Sequence, residues 1–111
     1  MAKRLLVSLL VCFIIISGCV NPKTKFDQRI WAASDKCDVG NPRYLMVEDL
    51  QNNYFKVGTE KADVIKLLGV GNEINNSIIY IVGDDGIADC LILEIAFDKN
   101  NKLKTSRVVQ G

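Results

Sequence analysis

Hydrophobic and polar positions divide this chain into three unequal parts. Leu5 to Ile16 is an apolar run broken only by Ser8, and Lys3 and Arg4 precede it. Twelve helical residues reach about 18 Å, short of the roughly 30 Å of hydrocarbon in a bilayer, yet the length suits the apolar core of a secretory signal. Residues 1–18 are therefore read as a removable leader. From Val20 to Asn41 the pattern is polar and aperiodic, with Phe26, Ile30 and Trp31 as isolated apolar points. Residues 19–41 read as the start of the mature chain and a tether, with Trp31 either docking back on the domain or serving a partner.

Periodicity begins after Asn41 and marks a domain over 42–111. Asn41-Pro42 is a helix start, with an Asn cap and Pro at the first helical position. Leu45, Met46, Leu50 and Tyr54 fall near one face, with Arg43, Glu48, Asp49 and Gln51 outward. A second helix is expected from Thr59 as cap, with Glu60 and Asp63 in its first turn, Val64, Ile65, Leu67 and Leu68 as its apolar face, and Gly69 past its end. Three strands follow: Ile78–Val82, Cys90–Phe97 and 102–109. Asp98-Lys99-Asn100-Asn101 is the turn between the last two. In Cys90–Phe97, Leu91, Leu93, Ile95 and Phe97 alternate with Ile92, Glu94 and Ala96. The order ααβββ predicts an α+β domain, two short helices on one face of a three-stranded antiparallel meander.

What stands directly after the leader changes the picture. Ile16-Ser17-Gly18-Cys19 resembles the lipobox of bacterial lipoproteins, in which small residues admit the peptidase and the cysteine sulfur takes a diacylglycerol. The other readings are an ordinary signal cut nearby, or an uncleaved anchor with Cys19 as a passive thiol. The resemblance implies acylation at Cys19. With Val20 rather than Asp in second place, it also implies an address at the periplasmic leaflet of the outer membrane.

Charge and composition remove function classes. Losing Lys3 and Arg4 from 14 basic residues leaves 12 against 13 acidic ones, without the basic footprint that nucleic acid needs. There is no histidine, which excludes Ser-His-Asp and Cys-His catalysis and His-ligated zinc. No spacing of the remaining groups points to an enzyme, a metal or a cofactor. Asp84, Asp85 and Asp89 surround Gly86 without the EF-hand register and read as a solvated loop.

Val57-Gly58-Thr59, Val64-Ile65-Lys66-Leu67-Leu68-Gly69, Tyr80 and Leu93-Glu94-Ile95-Ala96-Phe97-Asp98, placed behind a lipobox, resemble the BamE-like (SmpA/OmlA) family of small outer-membrane lipoproteins. Gly71 stands where the family usually has Pro, and Ile78 where Trp is common. These motifs are cap, turn and core chemistry, so the resemblance implies fold more than function. It implies a non-catalytic, protein-binding envelope lipoprotein, held to the membrane through its lipid, in an accessory or scaffolding role in outer-membrane assembly or envelope integrity. The alternative is a periplasmic inhibitor or protective lipoprotein binding an enzyme such as a lysozyme or protease.

With helices on one sheet face, the opposite face carrying Ile92, Glu94 and Ala96, together with the loop at 83–89 and its Asp85, is the expected partner surface. The competing reading leaves that face solvated or partly covered by the segment before Asn41. Cys37 and Cys90 are the pair left once Cys19 is acylated and the leader's Cys12 is lost. In an oxidising compartment they read as a disulfide, against two free thiols or a small buried hydrophobe at Cys90.

Overall fold

The computed structural model describes residues 24–111. The first helix, α1 (Gln28–Ala33), lies within the segment read as a tether. Asp27 starts it in extended backbone, and its carboxylate accepts from the N–H groups of Arg29 and Ile30 at 2.9 and 3.2 Å. Trp31 is fully buried, and its indole N–H donates to the Leu68 carbonyl at 3.1 Å. Phe26 packs its ring against Trp31 and Tyr54, with centroids 6.0 and 5.4 Å away, and its N–H donates to the Asp49 carboxylate at 2.8 Å. The folded body thus includes Phe26 and α1, which were read as tether, as well as the residues from 42 on. Two aromatics without periodic neighbours give no helical signal, although each buries a large apolar area.

Helix α2 (Pro42–Asp49) starts as the Asn41-Pro42 pair predicts, with the Asn41 side chain accepting from Arg43 N–H at 2.8 Å. Its inner face is Arg43, Met46, Val47 and Leu50. Leu45 and Tyr54, expected inside, are exposed, and Arg43, expected outside, is buried. The cause is the arginine: its charged end reaches carbonyl partners in the interior, which rotates the buried stripe away from Leu45. A π-helical turn, Leu50–Tyr54, continues α2 and closes with Phe55 N–H on the Leu50 carbonyl at 2.8 Å. Helix α3 (Lys61–Leu68) buries Val64 and Leu68 and half-buries Ile65 and Leu67. Glu60, not Thr59, takes its cap position. The Thr59 hydroxyl instead closes the preceding turn, donating to the Lys56 carbonyl at 2.7 Å and accepting from Lys56 N–H at 3.1 Å.

The sheet has four antiparallel strands where three were expected: β1 (Asn72–Ile74), β2 (Ser77–Asp84), β3 (Cys90–Phe97) and β4 (Leu103–Gln110), in spatial order β1-β2-β3-β4. The order is αααββββ, still α+β. Strand β1 pairs with β2 through a two-residue turn at Asn75-Asn76, where Asn75 takes φ 55°. The asparagine pair makes this hairpin possible, since Asn tolerates the left-handed region. Asp98 organises the β3–β4 turn by accepting from Asn100 and Lys102 N–H at 2.9 and 3.0 Å, with Asn101 at φ 60°.

Trp31, Met46, Leu50 and Val64 of the helical layer pack on Ile78, Tyr80, Val82, Leu93, Ile95, Phe97 and Leu103 of the sheet. The second layer is held on by main-chain bonds as well as apolar contact. Gly58 N–H donates to the Leu103 carbonyl, Leu103 N–H to that of Thr59, and Lys61 N–H to that of Asn101, at 2.7 to 2.9 Å. Among the described residues no helix is long and apolar enough to cross a membrane.

Candidate functional site

Strand register fixes what the sheet turns away from the helices. Ile81, Ile92 and Val109 lie abreast on β2, β3 and β4, one aliphatic row across three strands. The next row is Asn72, Ile79, Glu94 and Arg107, and the one after it Ile74, Ser77, Ala96 and Thr105. None of these side chains is buried, whereas every strand side chain of the apolar core belongs to the other face. The face is thus mainly aliphatic and partly exposed, with one charged pair near its middle: Arg107 Nε donates to Glu94 Oε1 at 3.0 Å.

The sequence alternation of β3 placed Ile92, Glu94 and Ala96 on this face. It did not find Ile79, Ile81 and Val109. Ser77–Asp84 holds five consecutive apolar residues, a pattern that marks a strand apolar on both faces without saying which side is covered. Glu94 lies on this outer face, partly buried beside Arg107.

The loop after β2 borders the face at one end. The Asp85 carboxylate accepts from the N–H groups of Ile87, Ala88 and Asp89 at 2.7, 3.0 and 3.2 Å, and its other oxygen accepts from Gln110 Nε2 at 3.1 Å. Asp84 accepts from Gly86 N–H at 2.6 Å. Donation from the Ile87 N–H, joined by those of Ala88 and Asp89, holds the Asp85 carboxyl below the usual aspartate range. This hydrogen bonding fixes a loop whose tip, Ile87, is 90% exposed. The aspartates serve the loop's own backbone, and among the described residues no cluster of three metal-ligating side chains occurs.

Cys37 and Cys90 are joined, with Cα atoms 5.5 Å apart. The bridge ties the segment between α1 and α2 to the start of β3, at the same end as the Asp85 loop. Ile16, Ser17, Gly18 and Cys19 lie outside the described residues.

Sequence reasoning also passed over Arg43. Its Nε donates to the Trp31 carbonyl at 2.7 Å and its Nη1 to the Ile81 carbonyl at 2.9 Å, so it joins both helices to the edge of β2. Burial lowers its pKa from the ordinary arginine value, while Asp35 and Tyr80 oppose the shift. A polar residue directly after a helix-start Pro carries no mark that distinguishes a buried arginine from a solvated one.

The fold defines a small α+β domain with a second sheet face that no helix of the described residues covers. No protein-family model, no curated protein and no solved structure matches the chain.

Proposed function

We propose that this chain is a bacterial envelope lipoprotein, anchored through acylated Cys19 at the periplasmic leaflet of the outer membrane, whose non-catalytic domain binds a protein partner through the outer sheet face. The supporting observation is the aliphatic row Ile81–Ile92–Val109 on a face that no helix of the described residues covers. Proteins that expose contiguous aliphatic area of this kind use it for contact. The BamE-like motifs, with Gly58, Gly69 and Asp98 at turns and the Leu93–Phe97 aliphatics in the core, add the accessory or scaffolding role in outer-membrane assembly or envelope integrity.

Two measurements test the reading. Mass spectrometry of the protein taken from bacterial membranes should show an acylated amino-terminal Cys19, and a soluble, unmodified chain beginning elsewhere would overturn the anchor. Crosslinking in intact envelopes should capture a partner through photoreactive residues placed at Ile92 and Val109, and Glu94→Lys with Asp85→Lys should abolish that capture. Unchanged capture by the folded double variant would remove the surface from the proposal. An enzyme recovered as the partner would move the role from assembly to inhibition.

A further inference from the structure

Thr24 stands in the wall of a shallow depression of about 330 Å³, together with Tyr44, Leu45, Val47, Gln51 and Val108. A second depression of about 310 Å³ shares Tyr44 and Leu45 and adds Leu91. Tyr44 is 50% and Leu45 58% exposed, so two large apolar side chains of α2 face solvent next to each other. Leu91 and Val108 beside them pack on the core, which places this patch on the helix-covered side of the sheet, at its β4 edge. Ile92 and Val109 belong to the opposite face.

We propose that the Tyr44–Leu45 patch rests on the lipid leaflet that holds Cys19, with the outer sheet face turned away from it. The inference rests on the acylated Cys19 of the reading above, and adds which side of the domain meets the bilayer. Chain length selects the side. Cys19 precedes Thr24 by five residues, and five residues span at most about 18 Å whatever their conformation. A domain the size of residues 24–111 is about 30 Å across, so its far side cannot reach the leaflet while the side bearing Thr24 lies within reach. Side-chain chemistry suits the place. A tyrosine ring with a polar tip favours the headgroup level, and a leucine beside it enters the apolar boundary below. A link this short holds patch and surface at an effective concentration of about millimolar, so two side chains suffice to fix an orientation. Asp38 and Asp84 line the second depression and Glu48 the first, so the contact is apolar insertion rather than attraction to anionic headgroups.

The acylated full chain is reconstituted into vesicles of phosphatidylethanolamine and phosphatidylcholine, with and without bromine on the upper part of the acyl chains. Trp31 is fully buried and supplies a constant background emission. Leu45→Trp should lose emission in the brominated vesicles. Val70→Trp, at a 93% exposed position beside β1 and the uncovered side of β2, should not, since β1 and β4 are the two edges of the sheet, about 14 Å apart at the usual strand spacing. Tyr44→Trp should be quenched as Leu45→Trp is, and adding Leu45→Asp should restore its emission. Equal quenching at positions 45 and 70 overturns the inference, as does quenching at 45 that requires anionic lipid or disappears in high salt. In intact envelopes a photoreactive residue at Leu45 should crosslink phospholipid, and capture of a protein instead overturns the docking. Mass spectrometry of the same reconstituted protein separates the two readings: a Cys19 without acyl groups removes the anchor and this inference with it, whereas an acylated Cys19 with Leu45→Trp unquenched removes the orientation alone.

Discussion

The Arg43 guanidinium stacks on the Trp31 ring at 4.5 Å and donates to the carbonyl of the same tryptophan at 2.7 Å, while Nη1 holds the Ile81 carbonyl at 2.9 Å. One side chain thus joins α1, α2 and the uncovered side of β2. Methionine has a similar apolar stem and none of the donors, so Arg43→Met leaves two partly buried carbonyls short of a partner. Charged hydrogen bonds contribute about 1.5–3 kcal/mol each, and their joint loss should cost about 2–4 kcal/mol in urea unfolding. Arg43→Lys should recover part of this, having the charge without the planar fork.

Packing gives a reason for glycine at position 71. A Cβ built there would lie 2.5 Å from Ile78 Cγ2 and 2.8 Å from Tyr80 Cε1. Both neighbours belong to the core, so neither swings aside freely. Gly71→Ala should destabilise by about 1–3 kcal/mol, the usual cost of overpacking, even though alanine stiffens the unfolded chain. Thermal unfolding of Gly71→Ala, Ile78→Ala and the double variant checks the cause: Ile78→Ala removes the opposing Cγ2, so the double variant should lose less than the sum of the two single losses.

Elements whose signals are local were legible in the sequence. Asn41-Pro42, the alternation of β3 and the Asp98–Asn101 turn each carry their cause within a few residues. What was missed depends on partners distant in sequence. Trp31 meets Leu68, Phe26 meets Asp49 and Arg43 meets Ile81, so neither α1 nor the buried face of α2 shows in a local window. Strand β1 was missed for another reason: three exposed residues, Asn72–Ile74, have no alternation to display, and only their hairpin partner makes them a strand. At the candidate site the β3 residues could be read, but the aliphatic row needed the register of β2 and β4.

The Cys37–Cys90 bridge spans a sequence separation of 53. Constraining a loop of that length in the unfolded chain contributes about 4 kcal/mol on chain-entropy reasoning, a large share of a small domain's total. Cys37→Ser/Cys90→Ser should lower the urea midpoint accordingly. Reducing agent should shift the parent protein by the same amount and leave the double variant unchanged. A midpoint insensitive to reduction would show that the bridge carries no stability.

Acid should loosen two places before the core. Asp49 is held below the usual aspartate range first by the Phe26 N–H and then by the Asn53 side chain, and Asp85 by the N–H groups of Ile87, Ala88 and Asp89. A depressed carboxylate contributes its stabilisation above the unfolded pKa and loses it as pH falls through the folded value. Both contacts should therefore hold at pH 5 and weaken progressively below about 4. Amide exchange at Phe26 and at Ile87–Asp89 should speed up in that window while β3 amides stay protected. Asp49→Asn should abolish the response at Phe26 and leave the loop's response in place.

The alkaline limb belongs to Tyr80. Its hydroxyl donates to the Gly69 carbonyl at 2.8 Å beneath α3, and burial, against the opposing pull of Arg43, pushes its pKa from 10.0 up to about 12. Tyrosine is neutral when protonated, so a raised folded value means that the folded state holds this proton where the unfolded chain has released it. Stability from this group is complete below pH 10 and is lost as pH climbs from 10 towards 12. Tyr80→Phe removes both the titration and the hydrogen bond. It should cost about 1 kcal/mol at pH 7 and flatten the fall in stability between pH 10 and 11, measured as urea midpoints at fixed ionic strength. A variant that loses stability over that window as steeply as the parent would show that Tyr80 does not set the alkaline limb.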